Sequence, residues 1–155
     1  MTMSEIKIVR YDPRKDKEGL EALVKDFEYR SIYPIDIQKF SYEIGNRVKD
    51  LKLRNSMILA KIDERIVGAG FFTIMNDYLG NLHTTIHDVV VRKEDSYKKG
   101  IEELILRELF LYLKKTMKID KIGIFIRRND SNIQSLLMKL KIKKSELDYY
   151  EGELI

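Results

Sequence analysis

Two neighbouring side chains that can accept a proton, His87 and Asp88, lie in an apolar stretch of the sequence. An imidazole with a pKa of about 6.5 is suited to taking a proton at neutral pH, so His87 is a candidate general base. Successive strand residues point to opposite faces, so without a bulge only one of the two can face a substrate. The alternative is structural: a half-buried histidine beside a carboxylate that accepts backbone N–H groups.

The two histidines of the chain do not form a convincing metal site. His83 and His87 are four residues apart, which on a helix would place both on one face. On a strand this separation corresponds to about 13 Å, which is too long for two ligands of one zinc ion. We therefore expect no bound metal.

A short polar loop follows the β-branched run Val89, Val90 and Val91 and leads into a strongly amphipathic segment. The N-terminus of the predicted helix offers unpaired N–H groups and the positive end of the helix dipole, which together suit an anion. Lys98 and Lys99 add positive charge, and Gly100 would let the backbone approach a phosphate closely. An ordinary helix with a basic cap is the alternative interpretation.

Hydrophobic periodicity predicts the elements that position these residues. Apolar stripes predict helices around 20–27, 37–51, 101–113 and 133–140, the last capped by Asp130 or Ser131. Strands are predicted at 5–10, 56–62, 66–75, 82–91, 121–126 and 145–154. Hairpins imply antiparallel pairing, whereas the late strand–helix–strand unit implies parallel pairing. We therefore predict an α/β or α+β fold with one mixed, mostly antiparallel sheet flanked by helices.

Composition limits the class of protein. The chain has 155 residues, 44% of them hydrophobic, and neither repeats nor linkers, so we expect one domain over residues 1–155. It has no cysteine, which excludes disulfides, thiolate metal sites and cysteine nucleophiles. No apolar run approaches the roughly 20 residues of a membrane span, and the N-terminus lacks a signal-peptide core. We expect a cytoplasmic protein with no membrane partner.

Two motifs in this order resemble the GNAT superfamily of acyl-CoA-dependent N-acyltransferases. Residues 86–91, Ile-His-Asp-Val-Val-Val, resemble the family strand Ile-Glu-Asp-Val-x-Val, with His87 at the Glu position. Residues 97–102 correspond to the family loop Arg/Gln-x-x-Gly-x-Gly/Ala, in which Gly100 matches. Asn129 and Asn132, before and within the last predicted helix, resemble an Asn-led second motif.

Three positions depart from the family pattern. Tyr97 replaces the Arg or Gln, Glu102 replaces the last small residue of the loop, and Leu137 stands where some members carry a tyrosine general acid. A carboxylate at position 102 would repel a pyrophosphate unless it swings outward or pairs with Lys98 or Lys99.

The resemblance implies acetyl transfer from acetyl-CoA, the co-substrate, to a small-molecule or peptide amine, with His87 taking the amine proton and Asp88 beside it as a second catalytic residue. It implies that main chain of Val89 and Val91 holds the pantetheine arm, that an N–H near Val90 stabilises the oxyanion, and that Asn129 and Asn132 lie near the arm. Tyr29 and Tyr33 would belong to the acceptor wall. The pyrophosphate would bind amides of the loop: Tyr97, Lys98, Lys99, Gly100, Ile101 and Glu102.

Two other functions stay open at this point. The departures at Tyr97, Glu102 and Leu137 are compatible with a GNAT-fold binding or regulatory module that has lost catalysis. A basic RNA-binding domain is less favoured, because the net charge of +4 is spread along the chain. A homodimer is suggested only by analogy with the family, and the acceptor amine is not indicated.

Overall fold

The computed structural model describes residues 5–97 and 99–155, and these contain one five-stranded sheet. Its strands follow one another across the sheet in chain order: β1 (Lys7–Arg10), β2 (Met57–Ile62), β3 (Arg65–Asn76), β4 (Leu82–Val91) and β5 (Gly123–Ile124). The pairs from β1 to β4 are antiparallel, and β4 pairs with β5 in parallel. The mixed, mostly antiparallel sheet predicted from the sequence is therefore confirmed.

Four helices cover the two faces of this sheet: α1 (Lys17–Asp26), α2 (Ile37–Lys49), α3 (Ile101–Lys115) and α4 (Ser131–Lys139). Side chains of α3 and α4 form one core with one face of the sheet, and α1 packs on the other face. All six residues of β2 are buried, as expected for a central strand covered on both sides. The sheet is therefore the middle layer of the fold.

The helix ends follow the signals in the sequence. Asp36 caps α2 by accepting the N–H groups of Gln38 and Lys39, and Asp130 caps α4 by accepting the N–H of Ile133. Acidic residues occupy the first turn of α3 and lysines its last turn, which complements the helix dipole.

The predicted strand at 145–154 is wrong. Residues 143–155 have no regular secondary structure, and all are exposed. The adjacent edge of the sheet, β5, has only two paired residues, so it offers almost no ladder to which another strand could add. Charged residues lie among apolar ones in this segment, at Glu146, Asp148, Glu151 and Glu153, and such a pattern alone does not produce a strand.

No helix in the described part of the chain is long and apolar enough to cross a membrane.

Candidate active site

A cleft opens where β4 and β5 part. The two strands pair only at Thr85 with Gly123 and Ile86 with Ile124, and the N–H of Phe125 donates to the Ile86 carbonyl at 3.1 Å. β4 continues to Val91, whereas β5 ends, so the wall of the sheet splits. The resulting cleft is narrow and open to solvent.

A β-bulge brings His87 and Asp88 to this cleft together. Gly70 pairs with Val89 and Phe72 with Ile86, so two residues of β4 oppose the single residue between those positions on β3. Both residues line the cleft, where the His87 ring stacks on Phe125 and the Asp88 carboxylate accepts the Ile32 N–H. The bulge therefore removes the strict alternation that would have placed only one of the two on this side.

His87 lies between aromatic rings. Its imidazole stacks on Phe125, with centroids 5.5 Å apart and an angle of 15° between the planes, and meets Tyr33 edge-on at 6.5 Å. Nδ1 is buried, with no hydrogen-bond partner within residues 5–97 and 99–155. Burial, and secondarily the positive charge of Arg47, lower the pKa of His87. The ring is therefore neutral at pH 7 and able to accept a proton.

Asp88 is a second candidate base in the same cleft. Burial raises the pKa of Asp88 to about 6, against the opposing influence of Arg30, the Ile32 N–H and Arg127. A carboxylate with a pKa near neutrality is better matched to general-base work than an ordinary aspartate.

Arg30, which sequence reasoning did not single out, is the central cation of the site. Its side chain is only 15% exposed. It donates to the Val89 carbonyl at 2.8 Å and to Ser96 Oγ at 2.7 Å, and its guanidinium carbon lies 4.8 Å from the centroid of the Tyr97 ring. The only hint in the sequence is a charged residue between the aromatic positions 29 and 33.

Past the bulge, the main-chain N–H and C=O groups of alternate β4 residues face the cleft side of the strand. The Arg92 N–H donates to the Val67 carbonyl of β3, so the ladder also turns the polar groups of Val90 towards β3. Those of Val89 and Val91 face away from β3, and their carbonyls accept bonds from Arg30 and Tyr29. An N–H directed at the cleft therefore belongs to Val89 or Val91 rather than to Val90.

The loop before α3 turns sharply and is filled by an acidic side chain. Tyr97 and Gly100 both have positive φ, 60° and 68°. Glu102 is 1% exposed, and its Oε1 accepts the Tyr97 N–H at 3.0 Å and the Ser96 hydroxyl at 3.2 Å. Its nearest described cation is Arg30, at 3.8 Å, since Lys99 pairs instead with Asp95 at 3.2 Å.

Tyr97 bridges the two sides of the cleft. Its hydroxyl donates to the Asp130 carboxylate, 2.9 Å from Oδ2, and Asp130 is also the cap of α4. Burial is the main influence that raises the pKa of Tyr97, so the phenol stays protonated and keeps this bond. The ring thereby joins the loop before α3 to the start of α4.

Comparison with known proteins gives a consistent result at the level of structure. No protein-family model matches the sequence, and no curated protein is significantly similar to it. Solved structures do match. A possible acetyltransferase from Clostridium difficile 630 has a TM-score of 0.74 at 15% identity, over 97% of this chain and 98% of that one.

Two further structures agree. A GNAT family acetyltransferase from Staphylococcus aureus subsp. aureus USA300_TCH1516 has a TM-score of 0.67 at 17% identity, over 98% of this chain and 100% of that one. The aminoglycoside N-acetyltransferase AAC(6')-Iy, in complex with CoA, has a TM-score of 0.73 at 13% identity, over 98% and 97% of the two chains. The chain has the GNAT acetyltransferase fold.

Other residues singled out in the sequence lie at varying distances from the cleft of this GNAT fold. Tyr33 contacts His87, whereas Tyr29 lies farther along β4 and donates to the Val91 carbonyl at 3.3 Å. The side chains of Asn129 and Asn132 are exposed at the start of α4. Lys98 lies outside the described residues.

Ile101 and Leu137 belong to the hydrophobic core, and His83, at the start of β4, lies outside the cleft. Ile101 is fully buried and Leu137 is 7% exposed, so neither side chain offers polar chemistry. His83 hydrogen-bonds to Asp77 at 2.7 Å in the hairpin before β4. Among the residues that the structure describes, no three His, Cys, Asp or Glu side chains converge as metal ligands do.

The AAC(6')-Iy structure with this fold contains CoA, and the residues of this cleft fit such a ligand in part. The lining of the cleft mixes apolar side chains with polar ones such as Arg30, His87 and Asp88, and the N–H groups of Val89 and Val91 face away from β3. The loop before α3 has the sharp turns of an anion site, but Glu102 already uses the N–H of Tyr97. The fit is therefore partial for the pantetheine arm, since Arg30 and Tyr29 already bond to the carbonyls of Val89 and Val91, and it is obstructed for the diphosphate.

Proposed function

We propose that this chain transfers an acetyl group from acetyl-CoA to a primary amine. The observation that carries the proposal is the bulge in β4, which brings His87 and Asp88 together in the cleft of a GNAT fold. Burial raises the pKa of Asp88 to about 6, nearer to neutrality, and it lowers the pKa of His87, which keeps that ring neutral and able to accept a proton at pH 7.

Each part of the site has a role in this proposal. Acetyl-CoA, when bound, supplies the activated acyl group. Main-chain groups of Val89 and Val91 hold its pantetheine arm, and amides of the loop at 97–102 with Arg30 face its phosphates. His87 or Asp88 removes the proton of the attacking amine, directly or through water.

The acceptor side is aromatic. Tyr33 contacts His87 edge-on, Phe125 stacks on its other side, and Tyr149 packs against Phe125 at 5.8 Å. Such rings favour an amine that carries apolar or cationic groups, because an ammonium ion is attracted to a ring face. Solved structures of the same fold include AAC(6')-Iy and the NatC complex bound to a Gag peptide and CoA. We therefore propose a small-molecule or peptide amine as acceptor.

The test is release of free CoA from acetyl-CoA in the presence of a panel of amines, followed by variants. Loss of one general base lowers rates by about 10²–10⁴-fold. We expect His87→Ala or Asp88→Asn to show such a loss, and the double variant to be inactive. His83→Ala is the matched control, because this histidine lies on the same strand but outside the cleft and should leave turnover unchanged.

A double variant that retains wild-type turnover would remove both residues from the reaction. A second candidate function is a GNAT-fold binding module without catalysis, and the buried Glu102 in the phosphate loop is the observation that favours it. That alternative predicts no acetyl transfer to any amine of the panel.

A further inference from the structure

Three polar side chains, one from position 30 and two from the segment 96–102, meet at the N-terminus of α3. Arg30 comes from the connection between α1 and α2, Ser96 from the loop after β4, and Glu102 from the first turn of α3. Arg30 donates to Ser96 Oγ at 2.7 Å, Ser96 donates to Glu102 Oε1 at 3.2 Å, and Arg30 lies 3.8 Å from the same oxygen.

We propose that the Glu102 carboxylate is an internal anion that occupies the hydrogen-bond donors available for phosphate in this loop. When the diphosphate of the acyl donor binds, it displaces Glu102 and pairs with Arg30 in its place. The inference rests on the proposed function, because it concerns the phosphates of the acyl donor. It makes Arg30 and Glu102 residues that determine donor affinity and specificity.

The hydrogen bonds support the first half of this proposal. The Glu102 carboxylate accepts the backbone N–H of Tyr97 and the hydroxyl of Ser96, which are the kinds of donor that phosphate oxygens use at a helix N-terminus. The carboxylate is 1% exposed, so it fills the loop rather than lying on its rim. A diphosphate at this place would meet a like charge within a few ångströms unless Glu102 leaves.

The position of Arg30 supports the second half. The guanidinium lies 4.8 Å from the centroid of the Tyr97 ring, so a positive charge stands beside the loop although Tyr97 itself is neutral. Arginine presents several N–H donors in a planar fork that matches phosphate oxygens. Lys99, the described lysine of the loop, is already paired with the buried Asp95.

The test compares the affinities of three probes, CoA, pantetheine and inorganic pyrophosphate, for the wild type and Glu102→Gln by calorimetry. Glutamine keeps the size of the side chain and an acceptor for the Tyr97 N–H, so the loop should keep its shape. We expect CoA and pyrophosphate to bind about tenfold more tightly to Glu102→Gln, which is about 1.4 kcal/mol. Pantetheine, which has no phosphate, should bind with unchanged affinity.

Glu103→Gln is the matched control. It removes the same charge from the same helix turn, but its carboxylate points outward to Arg107 at 2.9 Å and Lys139 at 2.7 Å. We expect it to bind all three probes as the wild type does. Adding Arg30→Gln to Glu102→Gln should weaken CoA binding again, because the diphosphate then loses its cation.

The possible results separate this inference from the proposed function. If the wild type binds CoA and Glu102→Gln binds it no more tightly, the inference is wrong and the proposed function stands. The inference would also be wrong if Glu103→Gln bound CoA as tightly as Glu102→Gln does, because the effect would then come from net charge alone. It would equally be wrong if pantetheine bound more tightly to Glu102→Gln, because the effect would then come from the shape of the cleft. If no variant binds CoA or pantetheine, both proposals are wrong.

Discussion

At the scale of the residue, burial rather than residue type determines what the side chains of the cleft can do. Asp88 is an ordinary carboxyl in the sequence, yet its place in the bulge raises its pKa to about 6. His87 shifts in the opposite direction for the same reason, since burial disfavours the charged form of either group. Asp88 is consequently a stronger base than an ordinary aspartate, whereas His87 stays neutral at pH 7 but is a weaker base than a free imidazole.

The raised pKa of Asp88 predicts a stability change that depends on pH. Below the ordinary value of 3.8 the carboxyl is neutral in both states, and as pH rises through about 6 the native state must bury a charge. Asp88→Asn, which keeps an acceptor for the Ile32 N–H, should therefore stabilise the protein by about 1–3 kcal/mol at pH 8.

Thermal unfolding of both proteins at pH 4 and pH 8 checks this. The two melting temperatures should nearly coincide at pH 4, and the variant should melt higher at pH 8. A variant that is less stable at pH 8 than the wild type would show that the charged carboxylate is well solvated or well paired in the fold.

The sequence predicted His87 and Asp88 as the candidate bases but not Arg30. The first two follow from residue type and from the strand motif. The partners of Arg30 are 59 and 66 residues away in the chain, so no local pattern reveals them. The bulge was equally hidden, because an extra residue in a strand leaves the apolar pattern on either side intact.

At the scale of the element, helix α3 lies unusually close to β3. A Cβ added at Gly70 would lie 2.8 Å from Leu109 Cδ1 and still closer to Ile105, and one at Gly68 would meet Ile101 at 2.8 Å. Glycines inside a strand indicate that another group approaches the backbone closely, and the structure identifies that group as α3. This close contact fixes the start of α3 relative to β4, and with it the loop of the site.

Gly70→Ala should therefore destabilise the protein by about 1–3 kcal/mol, the usual effect of extra volume in a packed core. Gly45→Ala is the control, since Gly45 is inside α2 with nothing within 4 Å of an added Cβ. There alanine should stabilise by about 0.5–1 kcal/mol through its higher helix propensity. Urea unfolding measures both, and a Gly70→Ala protein as stable as the wild type would contradict the packing described for α3.

Hydrophobic periodicity predicted the four helices and the first four strands because each buries one regular stripe or run. The strand predicted at 145–154 is wrong for a different reason. A strand needs a neighbouring strand to pair with, and alternation in a sequence does not supply one. β5 was predicted over 121–126 and forms only at Gly123–Ile124, where it pairs with Thr85 and Ile86 of β4 just before the bulge.

At the scale of the whole molecule, contacts between distant elements determine the shape of the cleft. Arg30 connects the segment after α1 to β4, Tyr97 connects the loop to the cap of α4, and Arg127 donates to carbonyls of residues 30 and 31. Lys139 at the end of α4 pairs with Glu103 of α3, so part of the positive charge near the C-terminus is neutralised within the protein. These contacts are long-range, which is why the shape of the cleft could not be predicted from the sequence.

The most direct test of the account is a thermal-shift titration with acetyl-CoA. Ligand at about 100 times its dissociation constant adds roughly 2.7 kcal/mol to stability. For a protein of this length that is a rise of about 5–10 °C in melting temperature. Ile126→Trp, which fills the cleft beyond β5, should abolish the shift, whereas Leu111→Trp on the outer face of α3 should retain it.

We expect the melting temperature to rise saturably with acetyl-CoA for the wild type and for Leu111→Trp, and not to rise for Ile126→Trp. Each variant is compared with its own melting curve without ligand. A wild type that shows no shift at millimolar acetyl-CoA, or an equal shift in both tryptophan variants, would contradict the claim that the cleft between β4 and β5 binds the acyl donor.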